Sequence, residues 1–284
     1  MLSLFIVIVL LGAAALAVLY WNPAAPLNLL TPTSTYTLSA GIGYAPGLEL
    51  DVYRPRAQTA AALPVVVFFY GGTWNSGARR DYRFLAAALA ARGLIVVVPD
   101  YRLYPEARYP AFLEDCAQAV AWTLREIAQH GGDPQRVQLF GHSAGAYNAA
   151  MLALDARWLG ALGLAPDRLR GWAGLAGPYD FLPSNNTRVQ PVFFHPHYPA
   201  LAQPIEHVLH SALPAFIGAA RVDALVDPER SSAQLAQRLQ HAGCDVTLRR
   251  YARVNHLTLI GAFAWPLAWL APVREDVCAF LLSR

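Results

Sequence analysis

The sequence predicts an α/β fold with a mostly parallel sheet that is covered by helices on both faces. Predicted strands and helices alternate along the chain, and most of the strands are continuous apolar runs. A strand with helices on both sides needs such a run, because neither of its faces meets water. Alternation of this kind is typical of parallel sheets. These runs are Val65–Phe69, Leu94–Val98, Trp172–Leu175 and Ala215–Gly218, and Val137–Phe140 is a further predicted strand, with Gln138 inside it.

The remaining segments complete one domain over residues 47–284. Leu48–Tyr53 alternates apolar and polar residues, which predicts a half-buried antiparallel strand, and Val246–Tyr251 is the last strand. Residues 177–211 lose all periodicity and carry six prolines, so we expect a small cap-like insertion there. The predicted helices are Asp81–Arg92, Phe112–His130, Ala144–Ala156, Arg230–His241 and Leu267–Leu282.

Composition excludes several classes of protein. The 284 residues are 55% hydrophobic and 14% charged, which favours a large buried core over disorder. All 22 basic residues are arginine, so chemistry that depends on a lysine is excluded. The net charge of +3 is spread along the chain, and we expect no nucleic-acid partner. The three cysteines fit no metal or redox spacing, and we expect buried thiols, with a Cys244–Cys278 bridge as the alternative.

The N-terminal segment predicts a membrane anchor or a signal sequence over residues 1–21. Leu4–Leu19 is apolar and uncharged, and a run of this length approaches what a bilayer span needs. An anchor would leave the domain attached to a membrane, facing out of the cytoplasm. A cleaved signal would leave it secreted or periplasmic, although the basic start of a signal peptide is missing. Residues 22–46 are rich in Pro, Thr and Ala and predict a linker.

The pentapeptide Gly141-His142-Ser143-Ala144-Gly145 predicts a serine nucleophile. It lies between a buried strand and a helix, where a G-x-S-x-G turn lifts the serine hydroxyl out of the backbone. A serine hydroxyl needs a base to take its proton. His256 stands in a short loop after the last strand, from which it can reach over the sheet edge toward Ser143.

An acid and a set of hydrogen-bond donors complete the expected site. Asp223 follows the strand Ala215–Gly218 and is the expected partner of His256, with Asp227 as the alternative. The chain order Ser, Asp, His is the order found in α/β-hydrolases. Gly71 and Gly72 follow the strand Val65–Phe69, and their backbone N–H groups, with that of Ala144, could stabilise an oxyanion.

Further residues are candidates for roles in the pocket or in metal binding. Tyr70 and Trp74 flank the two glycines and are expected at the substrate pocket, with plain packing left open for Trp74. The insertion carries four histidines, but no carboxylate or cysteine cluster accompanies them, so we expect no metal site. These histidines are His195, His197, His207 and His210.

Together these motifs resemble the carboxylesterases of the α/β-hydrolase fold. They are most similar to the hormone-sensitive-lipase-like and feruloyl-esterase-like groups, which carry an H-G-G-x-W loop. The resemblance runs from about Leu48 to the C-terminus. It implies ester hydrolysis through an acyl-enzyme without a cofactor, with Ser143, Asp223 and His256 as the triad. The loop departs from the family at Tyr70, where the family has histidine.

The sequence therefore predicts a serine carboxylesterase for small to medium acyl esters, with a small-molecule ester as its partner. An arylformamidase or a peptidase could use the same residues, since a triad does not determine the leaving group. A catalytically silent hydrolase fold that serves as a membrane-bound binding module is the alternative from another class. The oligomeric state is not predicted.

Overall fold

The computed structural model describes residues 24–57, 61–208 and 213–284. Its centre is one eight-stranded sheet with the spatial order β1-β2-β4-β3-β5-β6-β7-β8. The six strands from β3 to β8 are parallel to one another. β2 pairs antiparallel with both β1 and β4. The strands are β1 Tyr36–Ala45, β2 Leu48–Pro55, β3 Leu63–Phe69, β4 Ile95–Pro99, β5 Gly132–His142, β6 Trp172–Leu175, β7 Ala215–Ala220 and β8 Val246–Tyr251.

Helices cover the sheet. The helices of the described residues are α1 Ala25–Leu29, α2 Arg83–Ala90, α3 Ala111–Glu126, α4 Ala144–Leu154, α5 Ala156–Gly160, α6 Gln234–His241, α7 His256–Gly261 and α8 Val273–Leu282. The central strands β3 and β4 are buried along nearly their whole length. Their β-branched runs therefore meet apolar side chains on both faces, which is the reason the sequence predicts them well.

Two predicted segments differ from the structure. The linker prediction for residues 22–46 is wrong where the structure describes it, because α1 and the ten-residue strand β1 lie there. β1 is an edge strand with most of its residues exposed, so it lacks the apolar run that marks a buried strand. The last helix begins at Val273 rather than Leu267, because Pro272 precedes its first residue and cannot continue a helix from the preceding turn.

The insertion packs onto the domain instead of standing away from it. Phe193 is fully buried, and its ring lies 4.9 Å from the ring of Trp74 and 5.1 Å from that of Phe181. Tyr147 of α4 meets the same cluster edge-on, 5.8 Å from Phe193. The described part of the insertion, residues 177–208, is therefore joined to the domain by an aromatic core.

The predicted anchor over residues 1–21 lies outside the described residues. Among the described residues, no helix combines the length and the apolar character that crossing a bilayer requires. All three cysteines are buried as thiols, so the alternative of a Cys244–Cys278 bridge is not realised.

Candidate active site

The turn between β5 and α4 presents Ser143 in a strained backbone conformation. Its φ is +54° and its ψ is −122°, values that a non-glycine residue rarely adopts. The flanking glycines make this turn possible. A Cβ at Gly141 would lie 2.1 Å from the carbonyl oxygen of Gly145, and one at Gly145 would lie 2.0 Å from that of Phe69. The chain can therefore pass so tightly only with glycine at both positions.

Three side chains that the sequence singles out form one hydrogen-bonded row. The Ser143 Oγ lies 2.9 Å from the His256 Nε2, and the His256 Nδ1 lies 2.7 Å from the Asp223 Oδ2. His256 begins α7, where Asn255 caps the helix by accepting bonds from the N–H groups of Leu257 and Thr258. The cap fixes the main chain that carries the imidazole. The row brings together a hydroxyl, an imidazole and a carboxylate, which is an arrangement able to move a proton away from serine.

Asp223 is held as a carboxylate. Burial pushes its pKa upward, but the hydrogen bond and charge of His256 and the N–H groups of Leu225 and Val226 outweigh burial, so the pKa lies below its usual range. The N–H groups of Leu225 and Val226 lie 2.8 and 3.0 Å from the Asp223 Oδ1. The Oδ2 atom is therefore the one turned toward His256.

Asp227, the alternative acid, has a different task. Its Oδ1 accepts the N–H groups of Glu229 and Arg230 at 2.9 and 3.1 Å, at the start of the helical turn that precedes α6. The described contacts of Asp227 thus belong to a helix cap, and they leave Asp223 as the carboxylate on His256.

The glycine loop after β3 lies directly against the serine. A Cβ at Gly71 would lie 3.0 Å from the Ser143 Cβ, and both Gly71 and Gly72 line the pocket in front of Ser143. Ala144 is the first residue of α4, and the first N–H groups of a helix have no acceptor within it. The three expected donors therefore belong to chain segments that meet at Ser143.

Tyr82 is a pocket residue that the sequence analysis missed. Burial raises its pKa to about 12, although a hydrogen bond from the backbone of Gly71 to its hydroxyl acts in the opposite direction. Tyr82 lines the same pocket as Gly71 and Gly72. No motif marks Tyr82, since its position follows from how the loop folds over α2.

Tyr70 and Trp74 pack in the core and do not lie at the substrate pocket, where both were expected. For Trp74 the alternative of plain packing therefore holds. Neither lines the pocket in front of Ser143, and both are almost fully buried. The indole N–H of Trp74 donates to the Asn148 Oδ1 at 3.0 Å. The Tyr70 ring stacks on Tyr101 at 4.5 Å, and its hydroxyl donates to the Asp100 Oδ1 at 3.2 Å. Both side chains support the loop from behind, because the loop turns them toward the core.

His142 is a second residue whose role the sequence did not predict. Its Nε2 donates to the main-chain oxygen of His256 at 3.0 Å, and the two rings are 5.0 Å apart. Burial, followed by repulsion from His256, lowers the pKa of His142 to about 3. His142 is therefore neutral at ordinary pH, and it supports the backbone of His256 without placing a second charge beside it.

The pocket in front of Ser143 has a volume of about 450 Å³, within the range of small-molecule sites. Its wall includes Leu27 of α1 and Ile260 of α7, and Arg188 of the insertion lies on its rim. The histidines of the insertion have other partners: His195 bonds Tyr198, and His207 bonds the carbonyl of Leu201. His210 lies outside the described residues, and among the described ones no group of three or more His, Cys, Asp or Glu side chains could hold a metal.

Comparison with solved structures decides the fold. The protein is similar to a Pyrobaculum calidifontis esterase, with a TM-score of 0.74 and 23% identity over 92% of this chain and 88% of that one. A bacterial heroin esterase gives a TM-score of 0.73 and 22% identity over 93% and 88% of the two chains. The chain has the α/β-hydrolase fold. This confirms the predicted fold class.

Sequence comparison finds esterases among the relatives of this chain. Residues 50–159 match the family model BD-FAE. The probable isoprenylcysteine alpha-carbonyl methylesterase ICMEL1 of Oryza sativa subsp. japonica is 40% identical over 112 residues, which are 39% of this chain and 26% of that protein. Esterase LipQ of Mycobacterium tuberculosis is 29% identical over 266 residues, 86% of this chain and 61% of LipQ. The chain thus spans less than two thirds of the length of these curated relatives.

Proposed function

We propose that this α/β-hydrolase is a serine carboxylesterase that hydrolyses small to medium acyl esters. The observation that carries the proposal is the row of Ser143, His256 and Asp223, with separations of 2.9 and 2.7 Å, in the wall of a pocket of about 450 Å³. The esterases among its sequence relatives support the same reaction class.

In this proposal His256 acts as the general base. Its Nε2 takes the Ser143 proton while the Ser143 Oγ attacks the acyl carbon of the ester. Asp223 holds the Nδ1–H and stabilises the imidazolium that forms. His256 then returns the proton to the leaving alcohol, and an acyl group remains on Ser143. Water, deprotonated by the same Nε2, releases the acid and restores the serine.

The tetrahedral oxyanion needs donors in place before the reaction. The N–H groups of Gly71, Gly72 and Ala144 are the candidates, since their chain segments meet at Ser143. Removing one such donor in a serine hydrolase costs about 10²–10³ in kcat. We therefore propose that the oxyanion is stabilised mainly where the glycine loop meets the start of α4.

Hydrolysis of p-nitrophenyl esters from acetate to palmitate tests the proposal, with wild type and Ser143→Ala compared. We expect turnover by the wild type and a loss of at least about 10⁴-fold in the variant, because its base has no nucleophile to activate. The variant should melt like the wild type, which separates loss of chemistry from loss of fold. Equal turnover by both proteins would contradict the assignment of Ser143.

The chain-length profile of the same series reports the depth of the acyl site. A pocket of this volume should favour short and medium acyl chains. If no ester is hydrolysed while formanilides or peptides are, the reaction is amide hydrolysis by the same triad. Attachment to a membrane through residues 1–21 remains a proposal from the sequence alone.

A further inference from the structure

The two segments that line the pocket through Leu27 and Leu257 also carry exposed large apolar side chains. Leu29 and Leu30 project from the end of α1, and Trp265 and Trp269 from the turns after α7. Leu29 is 82% exposed, Trp265 63% and Trp269 71%. Leu257, 56% exposed, continues this surface into the pocket wall. These five residues are called the apolar rim below.

Contacts join the α1 side of the rim to the side that follows α7. The indole N–H of Trp265 donates to the carbonyl of Leu30 at 3.2 Å, which joins the α1 side to the α7 side. A Cβ at Gly261 would lie 3.0 Å from Leu267 and 3.9 Å from Leu27, so both leucines pack at the same point of α7. Leu27 in turn lines the pocket.

The exposure of the rim is fixed by the fold. Asn28 of α1 donates to the carbonyl of Asp81 at 3.0 Å and accepts the N–H of Phe84 at 2.9 Å. The indole N–H of Trp269 is also satisfied, by the carbonyl of Pro266 at 3.1 Å. Both rim indoles thus have a main-chain partner, so their rings can leave water without exposing an unpaired donor to an apolar medium.

The two segments that form the rim carry no charge. No Asp, Glu, Lys or Arg occurs between Ala24 and Leu48, nor between Leu257 and Val273. Exposed apolar residues on soluble proteins are usually scattered among charged ones, and a contiguous group signals a contact surface. A surface without charged side chains avoids the large free-energy cost of transferring a charge into hydrocarbon.

The sequence before α1 indicates which apolar medium covers the rim. The chain reaches the pocket wall at Ala24, soon after the apolar run Leu4–Leu19. Exposed tryptophans beside such a run are typical of the boundary between lipid and water. We propose that the apolar rim docks on the surface of a lipid bilayer, so that the pocket opens at the membrane. Entry of apolar esters from the bilayer would follow, a consequence that rests on the proposed function.

Quenching by brominated lipid tests the docking without using activity. The full chain is mixed with phosphatidylcholine vesicles that contain acyl-brominated phosphatidylcholine, and its tryptophan fluorescence is compared with that of Trp265→Phe/Trp269→Phe. We expect quenching in the wild type and a clear reduction of the quenched part in the double variant. Trp122→Phe, which removes a largely buried indole, is the matched control and should leave the quenched part unchanged.

Three results would overturn the docking. In the first, the chain does not float with vesicles in a flotation assay. In the second, it floats but the double variant loses no quenching, which means that only the N-terminal segment with Trp21 enters lipid. In the third, the chain forms a dimer that does not bind vesicles, which means that a second copy covers the rim.

Delivery of substrate needs a separate readout. Trp265→Ser/Trp269→Ser should hydrolyse soluble p-nitrophenyl acetate like the wild type and a vesicle-borne ester several-fold more slowly. Leu38→Ser, on the exposed edge strand β1, is the control. An unchanged ratio of the two rates would refute delivery from the bilayer. A wild type inactive on every ester would refute the proposed function, while the quenching result still decides the docking.

Discussion

Asp223 and Asp227 stand four residues apart, yet only one of them contacts His256. Asp223→Asn should lower kcat on the order of 10³–10⁴-fold, because an amide at the Nδ1 of His256 favours the wrong tautomer. Asp227→Asn is the matched control, since asparagine caps a helix about as well as aspartate does. Its activity should stay within a few-fold of wild type, and the reverse result for the two variants would assign the acid to Asp227.

Asp223 should also affect how the stability of the fold depends on pH. Because the pKa of Asp223 is lowered in the folded chain, its carboxylate stabilises the fold above the ordinary aspartate pKa of about 4. That contribution is lost as the pH falls through the lower folded value. Denaturant unfolding of wild type and Asp223→Asn should therefore show a difference in unfolding free energy that shrinks below about pH 4. A difference that grows with acidity would contradict the charged state assigned here.

The sequence predicts the side chains that the reaction needs at the ends of strands. It does not predict the side chains that pack around them. Ser143, Asp223 and His256 each follow a predicted strand, and the structure brings the three together. His142 and Tyr82 carry no such signal. Their positions depend on which way a ring turns within the packed loops, and that is decided by neighbours distant in sequence.

The turn that joins β5 to α4 depends on the absence of a side chain at Gly145. Gly145→Ala should destabilise the fold by about 3 kcal/mol, because the new Cβ would meet the carbonyl of Phe69. Gly160→Ala in α5 is the control, since nothing lies within 4 Å of its new Cβ, and it should be neutral or stabilise by up to about 1 kcal/mol. Thermal unfolding measures both, and a Gly145→Ala protein as stable as wild type would contradict the tight turn.

The elements differ in how strongly the sequence marks them. β3 and β4 are β-branched runs buried on both faces, and this burial is the reason they can be recognised. β1 and the start of α8 were predicted wrongly. β1 pairs only with β2, and only Tyr36 and Tyr44 of its residues are buried, so it shows no apolar run. The start of α8 is set by Pro272, which the apolar pattern around it obscures.

At the scale of the whole molecule, the sheet order places the site. β5 and β7 are separated only by β6, so Ser143 after β5 and Asp223 after β7 lie along the same edge of the sheet. β8 follows β7, and His256 after β8 returns across that edge. The packed insertion and α1 border the pocket from the other side. The parallel topology therefore gathers residues far apart in sequence, as the alternation of strands and helices predicts.

The central claim is that Ser143 is a nucleophile activated by His256. Labelling of the full chain with a fluorophosphonate, followed by peptide mapping, tests it most directly. Buried thiols do not compete, since burial raises the pKa of Cys116, Cys244 and Cys278. We predict one adduct, on Ser143, that His256→Ala nearly abolishes. No adduct, or an adduct on another residue that persists in Ser143→Ala, would contradict the claim.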